Sequence, residues 1–209
     1  MQWRERVARE PRAAFAGEHY WGRPLPGFGD ARARILVLGL APAAHGGNRT
    51  GRIFTGDRSG DFLFAALFRC GLANQPLSVG RGDGLELTGA WVSAAVRCAP
   101  PANRPTTGER DNCLPWMVAE LALLPRVAVI VCLGGFAWDA ALRVAAAAND
   151  PPLAAPRPRP RFAHGSQTDF GGYTLIGSYH PSQQNTFTGR LTPVMLDEVL
   201  GRAVALACS

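Results

Sequence analysis

Four short apolar runs, each followed by a polar loop and a helix-forming stretch, restrict what this chain can fold into. They are Arg34–Leu40 (RILVLGL), Trp91–Val96, Val127–Leu133 (VAVIVCL) and Tyr173–Ser178 (YTLIGS). Runs this short and this apolar read as buried strands, and alternation with helices argues parallel pairing with helices on both faces. The expected fold is therefore α/β: a three-layer α/β/α arrangement around a four-stranded, mainly parallel sheet. Helices are expected over residues 1–17 (Trp3, Val7 and Phe15 on one face), from a Ser59 cap to Cys70, over 113–124, over 136–148 and over 192–207. Residues 19–30 read as a Gly/Pro loop, and the Pro/Arg segment 150–162 as extended and mobile. In sheets of this kind, ligands bind beyond the carboxyl ends of the strands. Loops 41–58, 98–112 and 179–190 should gather there.

Composition narrows the function classes. The chain has 209 residues, 47% hydrophobic and 18% charged. That supports one globular domain over 1–209 and excludes disorder of the whole. No window approaches 18 uninterrupted apolar residues, so no membrane helix is expected. The charged start, MQWRERVAREPRAAF, lacks the apolar core of a secretory signal, so a cytoplasmic location is expected. Net charge is +6, and all 22 basic residues are Arg. Codon bias accounts for Arg over Lys, whereas the basic balance points to a polyanionic partner. Five Cys without a signal peptide argue against a disulfide framework. Cys70, Cys132 and Cys208 read as core thiols.

The first loop, GLAPAAHGGNRTGRIFTGD (39–57), holds five glycines. It fits neither dinucleotide nor P-loop fingerprints. Phe54 is either a hydrophobic plug or a face on which an aromatic ring stacks. Asp57 is either a site carboxylate or a helix N-terminal charge. In SYHPSQQNTFTGRLT (178–192), His180 follows a buried strand and Pro181 fixes the turn, which suits a hydrogen-bond donor to a developing anion. Ser182, Gln183, Gln184, Asn185 and Thr186 offer polar groups for phosphates and base edges, and Phe187 is a packing residue or a wedge that opens a base stack. Arg49, Arg52, Arg58, Arg104 and Arg190 are phosphate contacts or solvated surface.

These two loops, with VRCAPPANRPT and LGGFAWDAALR between them, resemble the type B (family 5) uracil-DNA glycosylases. The likeness runs in order from about residue 15 to 205. It implies a repair enzyme that flips uracil and other deaminated bases, such as hypoxanthine, from double-stranded DNA. The N-glycosidic bond is then hydrolysed, leaving an abasic site. On this resemblance His180 meets the departing base, Asn48 or Asp57 places the water, and Phe54, Gly39, Ala41 and His45 line the base pocket. Ala41 stands where sister families carry an acidic residue, and Ser93-Ala94-Ala95 where they carry a base-reading Asn. The resemblance also implies a 4Fe-4S cluster, for which Cys98 and Cys113 are the matching ligands. The family's N-terminal C-x-x-C has no counterpart here. A shortened N-terminus, the favoured explanation, and loss of the cluster both stay open. A monomer, associated with the nucleoid through DNA, is expected. The competing reading is a lesion-binding module with weak or no turnover.

Overall fold

The computed structural model describes residues 2–208. Met1, where the first expected helix begins, lies outside the described residues. In chain order the elements are α1 (Gln2–Arg9), β1 (Phe28–Gly29), β2 (Ile35–Gly39), α2 (Gly47–Thr50), α3 (Arg58–Arg69) and β3 (Ala90–Ala94). There follow α4 (Thr107–Ala122), β4 (Val129–Leu133), α5 (Gly135–Ala147), β5 (Gln167–Phe170), β6 (Tyr173–Ser178), α6 (Gln183–Phe187) and α7 (Pro193–Cys208).

The four expected strands pair in parallel as β3-β2-β4-β6. Two short antiparallel strands extend the sheet to six, in the order β1-β3-β2-β4-β6-β5. Alternation along the strands builds both faces. Ile35, Val37, Val129, Val131 and Ile176 pack with Leu63, Phe64, Leu196 and Leu200 of α3 and α7. Leu36, Leu38, Ile130, Cys132 and Leu175 face Met117 and Trp138 of α4 and α5.

Helix boundaries follow local chemistry more closely than the periodicity predicts. α1 ends at Arg9 because Pro11 cannot donate and disfavours helix at the residue before it. The cap of α3 is Asp57, not Ser59: its carboxylate accepts from the Gly60 amide at 3.0 Å. α4 starts at Thr107 because Thr106 and Glu109 form a reciprocal capping box. Segment 150–162 has no regular secondary structure, yet it is tied to α5 near both ends: the Leu153 amide donates to the Ala146 carbonyl at 3.0 Å, and Trp138 Nε1 donates to the Pro160 carbonyl at 3.0 Å. Cys132 is wholly buried, as read, whereas Cys208 is exposed near the end of α7.

The chain moves from β2 to β3 on one side and then to β4 on the other. The loops after β2 and β4 therefore part at the sheet's midpoint, the position at which open sheets of this kind form a ligand crevice at the strands' carboxyl ends.

Candidate active site

Gly39 closes β2, Gly134 follows β4, and His180 lies just beyond β6. Each comes to this crevice because its strand ends there. Phe54 returns to it from the first loop. Its ring centroid lies 5.9 Å from that of His180, at an interplanar angle of 31°. A Cβ on Gly39 would overlap the Phe54 ring, so only glycine lets the ring lie against β2. Phe54 is buried and has φ of 53°, a left-handed conformation unusual for a bulky residue. Such strain persists where the surroundings over-determine it, and it concentrates at functional sites.

His180 is only partly exposed, and burial pushes its imidazole down to about 4. The ring is therefore neutral at physiological pH. Neither ring nitrogen has a hydrogen-bond partner among the described residues, so an N–H is free to meet a ligand. Asn185 Nδ2 donates to the His180 carbonyl at 2.8 Å and fixes the turn. The backbone N–H of Tyr179 donates to His164 Nδ1 at 3.2 Å, and the two rings stack at 5.0 Å. His164 thus holds the residue immediately before His180.

The other expected residues fall in distinct places. Asn48 is fully buried; its Nδ2 donates to the Arg4 carbonyl at 3.2 Å and the Ala44 carbonyl at 3.4 Å. Its hydrogen bonds do not reach Phe54 or His180. Oδ1 has no partner among the described residues and can accept from a water. Asp57 caps α3 through Oδ1, and Oδ2 faces Gly46 of the first loop. Burial raises its carboxyl above the ordinary range. Ala41 is half-buried beyond β2. His45 turns to the N-terminal segment, where Tyr20 bonds Nδ1 at 2.8 Å and Phe15 stacks on the ring at 6.2 Å.

The arginines divide in the same way. Arg52, expected at phosphates, is 6% exposed and forms a bidentate ion pair with Asp83, so its charge is matched inside the fold. Arg49 reaches Glu18 and the His45 carbonyl. Arg190 is exposed, with its guanidinium 4.5 Å from the Tyr179 ring centroid. Arg58 covers the Phe187 ring at 5.3 Å. Phe187 is 67% exposed and lines an open cleft of about 460 Å³ with Arg58, Asp61, Phe62 and Thr186. Gln183 and Gln184 are exposed on α6, Ser182 is its N-cap, and Asn185 is committed to the His180 turn.

Arg4 Nη1 donates to Cys98 Sγ at 2.7 Å, and the Arg97 amide donates to Cys113 Sγ at 3.5 Å. Burial raises the Cys113 thiol, and Cys98 is close enough to add to that shift. A 4Fe-4S cluster takes four thiolates. Among the described residues no group of three or more potential metal ligands gathers. Two thiols with a guanidinium at one of them do not fit such a cluster.

The family model for the uracil DNA glycosylase superfamily matches residues 26–203. A type-5 uracil-DNA glycosylase of Mycobacterium bovis is 56% identical, over 99% of this chain and 75% of the relative. One from Thermus thermophilus is 52% identical, over 99% of this chain and 90% of the relative. A type-4 uracil-DNA glycosylase of Archaeoglobus fulgidus is 32% identical, over 54% of this chain and 49% of the relative.

Proposed function

Because the chain belongs to the uracil DNA glycosylase superfamily, we propose that it hydrolyses the N-glycosidic bond of uracil in DNA, the first step of base excision repair. The observation that carries this reading is the pairing of Phe54 with a neutral His180 at the sheet crevice. Phe54 offers a face for an extruded base. The base leaves as an anion, and a neutral imidazole N–H stabilises its oxygen without surrendering a proton. The sugar gains positive character, which the flanking DNA phosphates offset.

Water attacks the far face of that sugar. Asn48 Oδ1 and the Asp57 carboxylate are the first-loop acceptors that position it, since Ala41 carries no polar group. A pocket formed by a ring face and one donor, with Ser93 tied to Glu120 rather than facing a base, suits more than one deaminated base. Hypoxanthine in double-stranded DNA belongs to the same proposal. Arg58, Arg190 and the exposed face of α6 would meet the duplex, and Phe187 would fill the gap left by the flipped nucleotide; their exposure supports this reading. The enzyme acts as a monomer on cytoplasmic DNA. No described helix is long and apolar enough to cross a membrane.

The test is a duplex with one uracil, incubated with protein and then treated with alkali. Strand scission at the uracil is expected, and Asn48→Ala should slow it about 100-fold if its Oδ1 holds the water. A gel shift without scission would make the protein a lesion binder. Full activity in Asn48→Ala, with loss in Asp57→Asn, would assign the water to Asp57 alone.

A further inference from the structure

Phe54 is held in a conformation that costs energy, and the residues on both sides of it are locked by one small loop. Arg52, two residues before, sends Nη1 and Nη2 to Asp83 at 2.9 and 2.8 Å, and Nη1 also to Ser78 Oγ at 2.9 Å. Thr55, one residue after, bonds Ser78 Oγ through Oγ1 at 2.6 Å. Asp83 in turn accepts the amides of Val79, Gly80 and Leu85 at 2.9, 3.2 and 3.0 Å. Arg52, Thr55 and Ser78 are all buried. Burial opposes the Asp83 charge, but Arg52 and the three amides prevail and hold its carboxyl well below the usual range.

A buried ion pair adds little net stability compared with well-packed apolar residues. What such a pair can supply is one fixed geometry. Here its two ends join the first loop to residues 78–85, a loop that the reaction itself does not use. The backbone at residue 54 cannot relax to an ordinary φ without displacing Arg52 from Asp83 or Thr55 from Ser78.

We infer that Asp83 and Ser78 are positioning residues: through Arg52 and Thr55 they hold Phe54 left-handed, with its ring beside His180, as the platform for the extruded base. The platform role rests on the proposed glycosylase activity; the clamp itself does not.

The clamp is read first in the free protein, by NMR. Phe54 shifts the ring protons of His180 through its ring current. Asp83→Asn should move those resonances towards the values seen in Phe54→Ala, and Asp83→Glu should restore them in part. Unmoved resonances overturn the clamp whether or not the protein cleaves uracil. Thr55→Val reports the second arm and decides the question if Asp83→Asn does not fold.

The platform is read in kinetics. Asp83→Asn should lower kcat/KM on a uracil duplex about tenfold, yet add less than about twofold in a Phe54→Ala background. Binding to a duplex with an abasic site, which has no base to stack, should be unchanged. Multiplication of the two losses, or an equal loss on abasic DNA, would show that Asp83 acts by general destabilisation. A wild type that leaves uracil in place refutes the activity while the NMR result still decides the clamp.

Discussion

His180→Ala lowers kcat on a uracil duplex by about 10²–10³-fold, the range expected when one preorganised donor to a developing anion is removed. KM changes little, because charge on the departing base develops in the transition state and not on binding. Single-turnover kinetics separate the two. A tenfold rise in KM with unchanged kcat would instead make His180 a binding residue. The same variant has a signature in stability. Burial takes the imidazole from its ordinary 6.5 to about 4 in the folded protein. The unfolded chain therefore binds that proton first. The stability linked to His180 is fully present above pH 6.5 and is lost as pH falls towards 4, by up to about 3 kcal/mol. Urea midpoints from pH 7 to pH 4 should fall less steeply in His180→Ala than in wild type.

Gly60→Ala is expected to be the most damaging small substitution next to the first loop. Gly60 lies in the first turn of α3, where a methyl group would overlap the Phe54 carbonyl oxygen and approach its carbonyl carbon at 2.6 Å. Backbone cannot rotate away as a side chain can, so Phe54 must leave its left-handed conformation. The cost is about 3 kcal/mol, or roughly 6–12 °C in Tm. Uracil excision should fall further than stability alone explains, because the displaced residue carries the base platform. Gly201→Ala is the control: it sits on the exposed side of α7 with nothing within 4 Å, and should stabilise by about 1 kcal/mol. If Gly60→Ala matches the control in Tm and activity, the close packing of Phe54 on α3 is not required.

The parallel core was legible because its strands are buried on both faces and so read as unbroken apolar runs. β1 and β5 were not. β1 is two residues inside a Gly/Pro loop, and β5, Gln167–Phe170, is a polar edge strand with one side exposed. Edge strands take their pairing from the neighbour, and no local pattern marks them. The short helix α6 was hidden likewise, since QQNTF has no apolar period.

Within the site, Phe54 and His180 could be picked out because each is an unusual residue at a strand-end loop. Their supports could not. Arg52 looks like any surface arginine until residue 83 is brought beside it, and nothing near position 83 announces a partner 31 residues away. His164 likewise becomes a support only when β6 carries Tyr179 to it. The T-x-x-E at 106–109, by contrast, is a readable start signal for α4, and this capping box overrides the apolar pattern that begins only at Cys113.

One extruded uracil is expected to lie against Phe54 with its oxygen at His180. The most direct measurement uses a duplex whose deoxyuridine carries a 2′-fluoro group, which withdraws charge from the sugar and slows bond breakage. In histidine-labelled protein, this duplex should shift the His180 imidazole resonances, and a thymine duplex of the same sequence should not. Retention of the free-protein resonances at His180 in the saturated uracil complex would rule out that placement of the base.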